Sequence, residues 1–263
     1  MTDGQDRTVR GKIARRGWRF WFGAILSLLS LVWLVATTDW TGVWEALKEA
    51  SWGLVIAAVL VNLVTIPVRT QRWGLMFSRP NRPTFGRLTA IMLIGQAINL
   101  FIPARAGDFV RATLIETEKT AYALGTQLLI LALDLLMLAI LVLVLLFRVR
   151  LPSWWRGPGE ALLVMAALAL LGVAAMVVGR KHITQLLIWL QGRWPWTRGR
   201  GLFEPAVDFF RSFVVFASPL LMLLLLFLTV VIWALYAAVN WLLLGAVGVS
   251  LDGSTAILAA VFL

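Results

Sequence analysis

Residues 88–111 read LTAIMLIGQAINLFIPARAGDFVR, and the fold turns on how this stretch meets a bilayer. Positions 88–102 are apolar apart from Thr89, Gln96 and Asn99. As a helix, those 15 residues rise about 22 Å, short of a hydrocarbon core of about 30 Å. Pro103 and Gly107 then interrupt the chain, and a second short helical stretch follows to about Glu118. The pattern predicts a re-entrant helical hairpin near 88–118.

The flanking charges discriminate this from a full crossing. Downstream, 121–147 is apolar and long enough to span with tilt to spare, and 160–179 and 218–239 read as further spans. If 88–102 crossed completely, Arg180, Lys181, Arg193, Arg198, Arg200 and Arg211 would face outward, against the positive-inside rule. A hairpin opening to the cytoplasm returns those six inside and leaves Arg148, Arg150 and Arg156 outside. Backbone broken at membrane depth is tolerated only where protein buries it or a cavity adjoins it, so a hairpin implies a polar cavity.

Upstream, residues 1–19 carry Arg7, Arg10, Lys12, Arg15, Arg16 and Arg19, a basic N-terminus that predicts a cytoplasmic location ahead of a retained signal anchor at 20–37. Residues 38–51 hold Asp39, Glu45 and Glu49 against Lys48, as suits an outside loop, and Trp40, Trp44 and Trp52 belong at the headgroup layer. A span follows at about 52–68. Residues 183–216, with Trp189, Trp194, Trp196, Phe209, Phe210 and Phe213, predict short interfacial helices. The apolar end 254–263 is too short to cross and reads as an incomplete span, as if the chain were truncated there.

Composition agrees. Hydrophobic residues make up 60% of the chain and charged residues 14%, more apolar surface than a water-soluble fold could hide. The expected architecture is an all-α, polytopic transmembrane helix bundle, one domain over 20–263. The net charge of +11 sits in short clusters beside the spans, as topology signals and anionic-lipid contacts do, so no nucleic-acid partner is expected. With no Cys and a single His182, neither a metal site nor a cofactor is expected. No Ser/His/Asp set or glycine-rich nucleotide loop stands out, which argues against an enzyme.

Three groups of residues could carry chemistry. Arg105, Asp108 and Arg111 lie three apart, with Asp108 placed to cap a helix that begins near Gly107. Two arginines beside exposed amides suit a phosphate headgroup, although the same arginines could simply hold the hairpin shut. Asp134, at the midpoint of its span, needs a partner, and Arg105 or Arg111 is the expected one. That pair could be a structural lock or a proton or headgroup relay. Gln96 and Asn99 share a helical face that could bond a headgroup or a neighbouring helix. Arg69, Arg72 and Trp73 end their span and are expected to contact interfacial lipid.

Residues Asn99-Leu-Phe-Ile-Pro-Ala-Arg-Ala-Gly-Asp-Phe-Val-Arg111 resemble the Asn…Pro-x-Arg-x-Gly-Glu-x-x-Arg signature of lysylphosphatidylglycerol synthase transmembrane (flippase-like) proteins. Arg69-Thr-Gln-Arg-Trp73 is similar to their Arg-x-x-Arg-Trp, and Asp134 falls where they place an Asp. The resemblance implies a lipid translocase of the bacterial inner membrane, with membrane lipids as partners and a homo-oligomer or a separate enzyme as possible company. The family's lysyl-transfer domain has no counterpart in these residues, so lysyl transfer is not carried over. Ile130 and Leu131 stand where the family often has Glu-Arg, and its later Pro-Gly-Gly-x-Gly hairpin would fall beyond Leu263. A membrane enzyme acting on a phospholipid or polyprenyl phosphate, with Asp108 or Asp134 as base, and a non-transporting scaffold are the alternatives.

Overall fold

The computed structural model describes residues 25, 28–102, 106–148, 153–193, 204–213 and 218–249. The basic N-terminus 1–19, Pro103, Arg105 and the apolar end 254–263 lie outside the described residues. Every regular element described is helical. The chain divides into two compact units, one through Ala50 and one from Ser51 onward.

The first unit holds α1 (Leu28–Thr37) and α2 (Trp40–Glu49). The Asp39 carboxylate starts α2 by accepting from the Thr41 and Gly42 amides at 3.1 and 3.2 Å. Trp40, Val43, Trp44 and Leu47 recur at helical spacing and all are exposed, giving α2 an uncovered apolar stripe.

The second unit comprises α3 (Trp52–Gly74), α4 (Phe85–Phe101), α5 (Ala106–Thr113), α6 (Thr120–Arg148), α7 (Ser153–Arg193), α8 (Glu204–Arg211) and α9 (Pro219–Ala246). Among the described residues α3, α6 and α9 are long and apolar enough to cross a membrane. Their polarity is that of a bundle dissolved in lipid. On α3, Ile56, Val59, Leu60, Leu63 and Val64 are exposed, while Thr65, Thr70 and Arg72 are buried. On α9, Leu220, Leu223 and Phe227 face outward while Thr229 and Ile232 are buried.

Helices α6 and α9 both run antiparallel to α3. The Ser51 amide at the start of α3 donates to the Ala246 carbonyl at the end of α9, 2.8 Å away. At the other end of α3, the Met76 carbonyl accepts from the Tyr122 hydroxyl at 2.9 Å, and the Trp73 indole donates to Thr126 Oγ1 at 3.0 Å. So α6 begins beside the end of α3, and the intervening α4–α5 pair leaves and returns at one end of the bundle. Trp73, Met76, Leu88, Met92, Leu129, Phe213 and Leu225 form the core at this end.

Helices α4 and α5 pack closely on one another because Gly95 faces Gly107. A Cβ on Gly107 would fall onto the Gly95 carbonyl oxygen, and one on Gly95 onto the Arg111 side chain.

One boundary in this unit differs from expectation. Helix α7 runs unbroken through Arg180-Lys181-His182, where a span end and a separate interfacial helix were expected. Lys, Arg and Gln are good helix formers, so a charge cluster ends an apolar stretch without ending a helix. Helix α8 and the residues after it pack against α6. Phe213 just beyond it is fully buried, and Gly125 of α6 gives α8 its contact, the space for a Cβ there being filled by Ser212 and the Phe209 carbonyl.

Candidate functional site

Five helices meet around a cavity of about 150 Å³ lined by Arg69 and Arg72 of α3, Met92 of α4, Arg111 of α5, Gln127, Ile130 and Asp134 of α6, and Ile232 and Tyr236 of α9. Three arginines and one carboxylate in an otherwise apolar bundle are costly to place, and a charged lining of this kind marks function by default.

Arg72 is the anchor. It is 3% exposed, and its Nη1 and Nη2 donate to the two Asp134 oxygens at 2.7 and 3.3 Å. Nη1 also donates to Thr229 Oγ1 at 3.0 Å, and that hydroxyl donates onward to the Leu225 carbonyl at 2.8 Å. A forked pair of this geometry is what guanidinium and carboxylate favour. Arg72 Nε is buried with no hydrogen-bond partner among the described residues, and so is Gln127 Nε2. Arg69 Nη1 donates to Gln96 Oε1 at 2.9 Å, a neutral partner that leaves its charge uncancelled.

Arg111, 5% exposed, closes the cavity from the hairpin side. Its Nη1 donates to Asp108 Oδ1 at 2.9 Å, one turn back along α5. Asn99 braces the same corner, its amide donating to Asp108 Oδ1 at 3.2 Å and its carbonyl oxygen accepting from the Gly107 amide at 2.7 Å.

Several expectations are corrected by this geometry. Asp134 pairs with Arg72, not with Arg111; Arg105 lies outside the described residues. Arg72 and Trp73 do not contact lipid at an interface: both are buried, Trp73 at 0% exposure and bonded to Thr126. Asp108 sits in the first turn of α5, two residues inside it, so it is not the cap. The Gly107 amide, expected to await an anion, is already taken by Asn99.

The structure thus brings Arg111 and Asp134 to one cavity, adds Arg69 and Arg72, and links Asn99 and Asp108 to it through Arg111. Gln96 adjoins it through Arg69. Gln127, Thr229 and Tyr236 were not foreseen. Thr229, Ile232 and Tyr236 do recur at i, i+3 and i+7 of α9, a stripe that could have signalled an inward polar face.

A larger cavity of about 280 Å³ lies among Ser78, Asn81, Glu118, Tyr122, Asp208 and Arg211. Its charged groups are engaged with one another, with Asn81 and with Lys119. Asp208 holds Lys119 at 3.0 Å and Arg211 at 3.5 Å, and Glu118 accepts from Asn81 at 2.9 Å. Hydrogen bonds to Asp208 and then Glu204 raise the Lys119 pKa above its ordinary value of 10.5.

The helices and their charged cavity define a polytopic membrane protein with a polar site inside an apolar bundle. Residues 20–263 match the model of the family described as lysylphosphatidylglycerol synthase TM region, and the chain belongs to that family. A curated relative, Glycosyltransferase AglD of Haloferax volcanii, is 34% identical over 113 residues, which is 43% of this chain. The match spans only 18% of that relative's length. No solved structure matches the chain.

Proposed function

We propose that this protein is a flippase-like lipid translocase that binds an anionic or amphiphilic lipid by its headgroup. The observation that carries this reading is the cavity in which Arg69, Arg72 and Arg111 outnumber Asp134 within helices otherwise built for lipid. An anion entering there meets positive charge in low dielectric, where its attraction far exceeds that in water. Asp134 holds Arg72 in place until lipid arrives. The α4–α5 pair, entering and leaving at one end of the bundle and too short to cross, acts as a re-entrant hairpin beside the site, and its movement would open the cavity to each leaflet in turn.

The same reading places the chain in a bacterial cytoplasmic membrane with its N-terminus inside, and gives it membrane lipids as partners, alone, as a homo-oligomer or beside a separate enzyme. It assigns no catalysis. The alternative enzyme would need Asp108 or Asp134 as base, and each is engaged by an arginine. The test is a proteoliposome assay in which dithionite bleaches fluorescent phospholipid on the outer leaflet. Wild type should speed loss of the protected inner pool, and Arg72→Gln/Arg111→Gln should fall to the rate of protein-free vesicles. A wild-type rate no faster than protein-free vesicles would refute translocation.

A further inference from the structure

We infer that the cavity recognises its lipid by the phosphate oxygens alone and is indifferent to the group attached beyond them. This rests on the lipid-binding reading above and narrows it to a substrate class.

The hydrogen-bond inventory points to an acceptor-only ligand. Arg72 Nε and Gln127 Nε2 are two buried donors that belong to cavity-lining residues and have no partner among the described residues. Arg72 is itself 97% buried by its 3% exposure, so its Nε–H cannot turn to bulk water. A buried donor without an acceptor costs about 1–3 kcal/mol, which a ligand oxygen would relieve. The carboxylate in the lining, Asp134, already has both oxygens engaged by Arg72. A phosphodiester fits this set, because its two non-bridging oxygens only accept. A sugar or an ammonium brings N–H or O–H donors, for which the carboxylate of the lining is already occupied by Arg72.

Charge and size agree. Arg69 keeps an uncancelled charge beside the neutral Gln96, which favours an anion over a neutral hydroxyl cluster. The cavity is about 150 Å³, against about 300–1,000 Å³ for pockets that enclose a whole small molecule. A phosphate fits within, and choline, glycerol or a sugar must remain outside. Specificity would then be for the phosphodiester, and lipids differing only past it would be treated alike.

The experiment is native mass spectrometry of the full chain in detergent, with added lipids of matched acyl chains. Phosphatidylglycerol, phosphatidylethanolamine and phosphatidylcholine should bind within about threefold of one another, and glucosyl-diacylglycerol at least about tenfold more weakly. Gln127→Leu, which removes one donor, should weaken all three phospholipids about tenfold. Gln127→Glu, which sets a negative charge against the phosphate, should abolish binding, and both variants should melt with the wild type. Equal binding of the glycolipid, a headgroup preference above about tenfold, or unchanged binding by a folded Gln127→Leu would each overturn the inference. Millimolar inorganic phosphate that displaces phospholipid would assign the same oxyanion site to free phosphate as well. Phospholipid binding undisturbed by it would assign the site to lipid alone. Binding of all phospholipids without translocation would sink only the flippase reading, and translocation ranked by headgroup would sink only this one.

Discussion

Asparagine in place of Asp134 keeps the side chain's shape and removes its charge, leaving the Arg72 guanidinium buried without a counter-ion. Charge centres about 4 Å apart attract by about 4 kcal/mol at the effective dielectric of about 20 that suits protein sites. The asparagine oxygen can still accept one bond from Arg72, worth about 1 kcal/mol. The expected loss is therefore about 3 kcal/mol, at the low end of the roughly 3–5 kcal/mol for stripping one partner from a buried pair. The low end is appropriate because the Asp134 side chain is 29% exposed, against 4% for that of Arg72.

At roughly 2–4 °C per kcal/mol for a chain of this size, Asp134→Asn should melt roughly 6–12 °C below wild type. Tryptophan fluorescence melting in nanodiscs reads this directly. The double variant Arg72→Met/Asp134→Leu removes both charges and should recover to within about 1 kcal/mol of wild type, because an apolar pair of similar volume avoids the desolvation cost. It should nonetheless bind no phospholipid. An Asp134→Asn protein melting within about 2 °C of wild type would refute the buried pair. A double variant no more stable than the single one would refute the account of why the pair matters.

Gly107→Ala sets a methyl group against the Gly95 backbone and should cost about 1–3 kcal/mol, seen as lowered melting or lost expression. Thr229→Val deletes one hydroxyl bonded to Arg72 and should cost about 1–2 kcal/mol, with phospholipid affinity weakened through a less firmly held guanidinium. Lys119 is exposed, and its acidic partners raise its pKa, so the contribution of this clasp is complete below about pH 10.5 and is lost as pH rises through the raised value. Wild type and Lys119→Met should therefore differ in melting temperature by a constant amount at pH 7–9 and converge above pH 10.5; a difference that persists undiminished at higher pH would refute the assignment to this amine.

The helices were legible because lipid imposes a long apolar run on every crossing, and such runs are visible without any partner. Their ends were less so. The sequence pattern ends a span near 68 at the arginines, yet α3 continues to Gly74, because Arg72 is buried in the bundle and Arg69 lines its cavity. Asp134 declared itself, as a lone carboxylate amid 27 mostly apolar residues at 121–147 must. Gln127 did not, because a single amide in an apolar helix is as consistent with helix–helix bonding as with a ligand. Its place in the cavity depends on α3, α5 and α9 arriving around it, and nothing local in the sequence encodes that.

Arg72 turns inward although it closes an apolar run, and helix geometry accounts for it. Long side chains on a helix point back toward its N-terminus. At the C-terminal end of α3 that direction leads into the bundle, whereas snorkelling to the surface assumes the opposite one. The contacts on α6 register this. Trp73 meets Thr126, while its neighbour Arg72 reaches Asp134, eight residues or about 12 Å further along the antiparallel helix. An arginine at the beginning of such a helix would have pointed outward and found headgroups. The position of Arg72 near the end of α3 is thus what lets a charge rooted near one end of the bundle serve a carboxylate in the middle of a span, and it places the buried guanidinium where an anion crossing the bundle would need it.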